Sequence, residues 1–277
     1  CYYRPVDKSF SKKRHCCKPI NMVHLKDINL DYPFQNYGGK TLRDTLTTLS
    51  TNDLIIKKNV LKNLSLHVSS GTIYGLLGKN GSGKSTLLRT IAGVLPIRSG
   101  EKTIEGKVSP LIGINSFTDG DLTTEENIKF YCVLRGFSKE RSNEFRTQVL
   151  DFCHYTESEL LKPVKTFSHG MIARLNFALG IFEDCNIYLI DEVLSVVDRS
   201  HVSRAVEEIK HRKNKGAIVF FVSHNLKLVE WVSDIIGIID QGKVSNEGDS
   251  HKITSGALNT GSGVALTTSG VAGTVVA

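Results

Sequence analysis

Nine residues, GKNGSGKST from Gly78 to Thr86, constrain this chain more than any other stretch. They fit the pattern GxxxxGK[ST] without a mismatch. The flanks matter as much: the apolar run TIYGLL precedes them and the helix-like STLLRTIAGVL follows. A strand that ends in a glycine-rich loop and re-enters as a helix turns several backbone N–H groups inward, where they cradle phosphate oxygens. The start of the helix adds the positive end of its dipole. The candidate phosphate-binding residues are therefore Gly78, Lys79, Asn80, Gly81, Ser82, Gly83, Lys84, Ser85 and Thr86. Lys84 is set to neutralise β- and γ-phosphates, and the Ser85 hydroxyl to ligate Mg²⁺.

Such a loop needs a carboxylate on the metal side. NIYLIDE supplies it, with Asp191 closing an apolar run at the strand end where α/β sheets present ligands. Glu192 follows directly, placed to orient or deprotonate an attacking water. Around these landmarks the text alternates strand and helix: IYLID, a helix from about 198 to 213, AIVFFVS, a helix from about 225, then DIIGIID and GKVSNEG. That order implies a mainly parallel sheet with helices on both faces. Upstream, residues 21–31 alternate apolar and polar as a half-buried strand does, and strand text resumes at NVLKNLSLHV. Between them, 33–56 read as an irregular insertion.

The middle of the chain is polar, charged and helix-periodic from about 117 to 165, with Phe130, Val133 and Leu134 on one stripe. The expected fold is α/β: a P-loop core of mainly parallel sheet flanked by helices, an antiparallel β subdomain, and an inserted helical subdomain over about 117–180. A core over 21–250 would then lie between a basic tail (1–20) and a low-complexity tail (251–277). The first tail carries six Lys or Arg against one Asp, part of a net charge of +7. It reads as solvated, or as drawn to an anionic membrane surface. The second has no charged residue after Lys252.

Composition closes off several classes. An apolar fraction of 40% suits a packed core, yet no run of about 18 apolar residues exists to span a bilayer. The opening has no signal-type apolar segment, which leads to a cytosolic expectation, and its first residue is Cys1 rather than Met. The six cysteines lack CxxC spacing and read as reduced structural thiols, His15-Cys16-Cys17 included. No aromatic interleaving or reader motif points to nucleic acid.

The series of phosphate loop, Ser168-His169-Gly170 at a helix start, Asp191-Glu192, Asp198 and the strand-end His224 resembles the ATP-binding cassette family over roughly residues 21–250. The resemblance implies an ATPase in which two copies sandwich two ATP molecules head to tail. Ser168, His169 and Gly170 would then meet the γ-phosphate held by the other copy. Asp198 would lie in the loop that communicates across the dimer, His224 would contact γ-phosphate and water, and Tyr32 would stack on the adenine. Phe34 and Tyr37 compete with Tyr32 for that role. FSHGMIARLNFALGIF, with Met171 after the signature glycine, and YLIDEVLSVVD look like the branch that exports capsule, O-antigen and teichoic-acid polysaccharides. That branch implies a separate membrane-spanning permease as partner and a station at the cytoplasmic face of the membrane.

Two departures stand out. No Gln occurs between Gln35 and Gln148, so the usual Mg²⁺-sensing glutamine is missing and Asn115 or Ser116 is the nearest polar stand-in. His169 replaces a small residue in the signature. A non-transport cassette acting in DNA repair or on ribosomes, a cassette for another substrate, and a non-catalytic ATP sensor remain the alternatives.

Overall fold

The computed structural model describes residues 21–34, 56–113, 117–196 and 199–249. Strand β1 (Met22–Phe34) is the middle of a three-stranded antiparallel sheet, between β2 (Ile56–Ser69) and β4 (Ser99–Glu105). Val23 and Leu25 point inward, but so do Ile28 and Leu30, which are of opposite parity. The register shifts between Leu25 and Ile28 account for this: Asp27 adopts φ 51 and inserts the extra residue of a bulge. Asn63 on β2 does the same at φ 47. Ser65 Oγ accepts from Asp27 N at 2.9 Å, and Asn29 Nδ2 donates to Asn63 Oδ1 at 2.7 Å, so the interrupted ladder keeps its bonds.

The second sheet has six strands in the order β5 (Val108–Ile112), β6 (Ile187–Asp191), β7 (Ile218–Val222), β3 (Ile73–Leu77), β8 (Ile235–Asp240), β9 (Lys243–Asp249). All neighbours are parallel except β8 and β9. IVFFV of β7 is buried throughout, as a strand covered on both faces must be. One face packs Leu76, Leu189, Phe220 and Val222 against helix α1 (Lys84–Ile91) and the three-stranded sheet. The other packs Tyr188, Ile190, Val219 and Phe221 against the remaining helices.

Between β5 and β6 lie α2 (Thr124–Leu134), α3 (Lys139–Cys153), the single turn α4 (Glu157–Leu160) and α5 (His169–Ile181). Then α6 (Arg199–Asn214) and α7 (Leu226–Val232) alternate with strands. A capping box fixes the start of α2: Thr123 Oγ1 accepts from Glu126 N and the Glu126 carboxylate accepts from Thr123 N. No described helix is long and apolar enough to cross a membrane.

Two expectations change. Helix α1 stops at Ile91, short of the expected Leu95, because the chain turns through Gly93 at φ 78. Strand extends over Pro33, Phe34 and Ile56, which narrows the irregular stretch; residues 35–55 lie outside the described residues, as do both tails. On α2 the stripe of Phe130, Val133 and Leu134 is exposed at 50%, 78% and 67%, while Ile128, Tyr131 and Cys132 are buried.

Candidate functional site

β3 delivers the chain to the phosphate loop at Gly78, whose φ of 152 only glycine adopts without strain. A Cβ there would stand 2.3 Å from the Ile239 carbonyl oxygen, so the loop is pressed against the end of β8. The turn into α1 passes through Gly83 at φ 113, a cap that offers no side chain to the first helical N–H groups. Lys84 is buried and donates from Nζ to the carbonyls of Gly78 at 2.7 Å and Lys79 at 3.0 Å. Burial pushes its ammonium below the ordinary lysine value, while Glu192 and Asp191 pull the other way. Ser85 and Thr86 are half-buried; Lys79, Asn80 and Gly81 are exposed at the loop tip.

Register explains what stands beside the loop. Leu76 pairs with Val222 and Val222 with Asp191, so the C-terminal ends of β3, β7 and β6 form one row. The next residues of each strand therefore meet at one edge of the sheet, where open α/β folds bind ligands. Asp191 closes β6 there. Glu192 follows with φ 57, a left-handed conformation uncommon for a residue with a Cβ, held by its own N–H donating to Val222 O at 3.0 Å. His224 follows β7, between buried Ser223 and Asn225, which caps α7 by accepting from Leu228 N at 3.2 Å. His224 Nε2 and Glu192 Oε1 are 2.5 Å apart, with the two side chains 52% and 39% exposed. The expected Gly78–Thr86 loop, Asp191, Glu192 and His224 thus converge.

Ser168, His169 and Gly170 stand elsewhere, at the exposed start of α5 in the helical insertion. Ser168 Oγ caps that helix by accepting from Met171 N at 3.2 Å, and His169 and Gly170 begin its first turn. Tyr32 is half-buried on β1, opposite Lys58 of β2. β2 itself reaches the loop: Leu61 lies 3.2 Å from where a Gly83 Cβ would be, and Lys62 N donates at 2.9 Å to the carbonyl of Gly242, whose own N–H donates to Ser82 O at 3.0 Å. Tyr32 is thus one strand removed from the phosphate loop. Asp198, Asn115 and Ser116 lie outside the described residues, as does Tyr37.

The chain is 34% identical over 227 residues to the teichoic acids export ATP-binding protein TagH of Staphylococcus saprophyticus, covering 82% of this chain and 84% of that one. It is 36% identical over 195 residues to the protein of that name from Enterococcus faecalis, where it spans 70% of this chain and only 43% of a longer relative. A family profile described as ABC transporter matches residues 61–195. The chain belongs to the ABC transporter family. Its fold is that of a solved ATP-binding cassette dimer in a post-hydrolysis state bound to ADP and Pi (TM-score 0.68, 19% identity, covering 82% of this chain and 98% of that one).

The residues of this cassette fit ATP and Mg²⁺. The Ser82 hydroxyl is buried at the loop with no hydrogen-bond partner among the described residues, an orphan that a polar ligand would satisfy. Nothing lies within 4 Å of a Cβ built on Gly81, so the loop tip is open to a ligand. The Ser85 hydroxyl and Asp191 carboxylate are hard oxygen donors, the kind Mg²⁺ prefers alongside phosphate and water. Two residues of structural consequence went unread in the sequence. Asn176 and Glu183 are 2% and 0% exposed, and both tie α5 of this cassette to its surroundings. Their only signal was a polar residue interrupting LNFALGIFE, an otherwise apolar helix.

Proposed function

We propose that this cassette is the ATP-hydrolysing subunit of an exporter that moves surface polysaccharide across the cytoplasmic membrane. The observation that carries the ATPase reading is that Lys84, Asp191, Glu192 and His224 meet at one edge of the sheet. Glu192 accepts the proton of an attacking water, and His224 holds that water and the γ-phosphate in line. Lys84 leaves the Gly78 and Lys79 carbonyls to offset charge on the β- and γ-oxygens. Ser85 and Asp191 would hold Mg²⁺, which would supply charge neutralisation of the phosphates. Catalysis of this kind is mainly positioning and electrostatics.

Half-exposed Glu192 and His224 support a second copy as the missing wall, because phosphoryl chemistry gains from exclusion of bulk water. In that arrangement Ser168, His169 and Gly170 of one copy close over the nucleotide held by the other, Tyr32 stacks on the adenine, and Asp198 lies at the seam. The partner in the membrane docks on the helical insertion. A groove of about 570 Å³ lined by Phe117, Asp119, Phe130, Leu134 and Arg135 supports that reading, with Val133 exposed beside it. The polysaccharide cargo and the cytoplasmic-face station rest on the named exporters among the relatives. Glu192→Gln should bind ATP and hydrolyse it at least about 100-fold more slowly. Turnover at the wild-type rate would refute the assignment.

A further inference from the structure

Helix α5 carries Ser168 at one end and Glu183 two residues past the other. Glu183 is fully buried, yet donors from two other parts of the chain converge on it. Tyr131 Oη donates to Oε2 at 2.5 Å, the Arg135 guanidinium stands 3.2 Å from the same oxygen, and the Lys107 ammonium lies 2.7 Å from Oε1. Tyr188 Oη donates to its backbone carbonyl at 2.7 Å. A second pin sits mid-helix. Asn176 Oδ1 accepts from Phe117 N at 2.7 Å, and its Nδ2 donates to Thr118 Oγ1 at 2.9 Å.

The rest of α5 is apolar on nearly every side: Leu175, Phe177, Ala178, Leu179 and Ile181 are all buried. Apolar packing alone tolerates sliding and rotation, whereas directional polar contacts single out one arrangement. A buried carboxylate also has no general advantage in stability over an apolar residue of its size. Orientation is what these pins supply. α5 is about 20 Å long at 1.5 Å per residue, so a tilt of about 5° moves its far end by about 2 Å, enough to lose a hydrogen bond.

We propose that Glu183, with Asn176, is a positioning residue for ATP turnover: it fixes the angle of α5 and so where Ser168 and Gly170 stand against the nucleotide of a second copy. This rests on the dimer reading above. Tyr131 and Arg135 also line the groove, so whatever binds there acts on the same pin.

The test uses the full chain with Glu192→Gln, which slows hydrolysis. ATP-driven dimerisation is measured by analytical ultracentrifugation, and ATP affinity of the monomer by a fluorescent ATP analogue, both well below the melting temperature of every variant. Glu183→Gln and Asn176→Ala should each weaken the dimer at least about tenfold and change monomer affinity less than about twofold. Tyr131→Phe removes one donor with little change of shape and should weaken the dimer by a few fold. A purely structural role predicts a lower melting temperature with dimer affinity unchanged in all three, and that result overturns the proposal. Failure of Glu192→Gln alone to dimerise would sink the dimer reading, and this proposal with it.

Discussion

Glu192 stands at φ 57, and that angle makes a counter-intuitive prediction about Glu192→Gly. A residue with a Cβ in the left-handed region gives up about 1–2 kcal/mol relative to a right-handed one. Glycine is free of that strain but loses about 0.5–1 kcal/mol through the greater freedom of its unfolded chain. The contact with His224 involves side chains 39% and 52% exposed, so its removal costs at most a few tenths of the roughly 0–1 kcal/mol typical of surface pairs. The sum runs from near zero to about 1.5 kcal/mol of stabilisation. Hydrolysis should meanwhile fall about 100- to 10,000-fold, the range for losing a general base. Urea denaturation of the nucleotide-free chain gives the first quantity and phosphate release the second. A loss of more than about 1 kcal/mol, as for glycine at an ordinary strand end, would refute the backbone argument. Retained hydrolysis would refute the chemical one.

Gly78→Ala should destabilise the chain by about 2–4 kcal/mol, since its Cβ would meet the Ile239 carbonyl and strain φ as well; a chemical melt checks it. Lys84→Met should raise the stability of the nucleotide-free chain near neutral pH and abolish ATP binding. Because burial lowers the folded-state value of Lys84 below the ordinary 10.5, its penalty is full at pH below that lowered value and disappears as pH rises toward 10.5. The stability gap between wild type and variant should therefore narrow in alkali, and a gap constant with pH contradicts the assignment. Phe130→Asp with Val133→Lys should abolish recovery of the chain with membranes that contain its permease and leave hydrolysis by the isolated chain within about twofold, because both side chains already face solvent.

Much of this was legible in the residues. The phosphate loop, the strand ending at Asp191 and the one leading to His224 announce themselves because each couples a buried apolar run to a polar end. The bulge at Asp27 was hidden, since one left-handed residue changes the parity of Ile28 and Leu30 without altering composition. β4 was missed because SGEKTIE is mostly exposed and lies at a sheet edge, where neither burial nor alternation is demanded. Phe130, Val133 and Leu134 share an apolar stripe, but helical period alone cannot tell a stripe that faces the core from one held out for a partner. Glu183 gave least warning of all. Its meaning comes from Tyr131, Arg135 and Lys107, which are distant in sequence.

The most direct test of the central claim is a structure of this chain with Glu192→Gln, trapped with ATP and Mg²⁺. A two-fold pair should appear, each nucleotide bounded by the Lys84 loop of one copy and by Ser168 of the second copy. A monomer, or a pair in which Lys84 and Ser168 lie on opposite sides of the assembly, would contradict it.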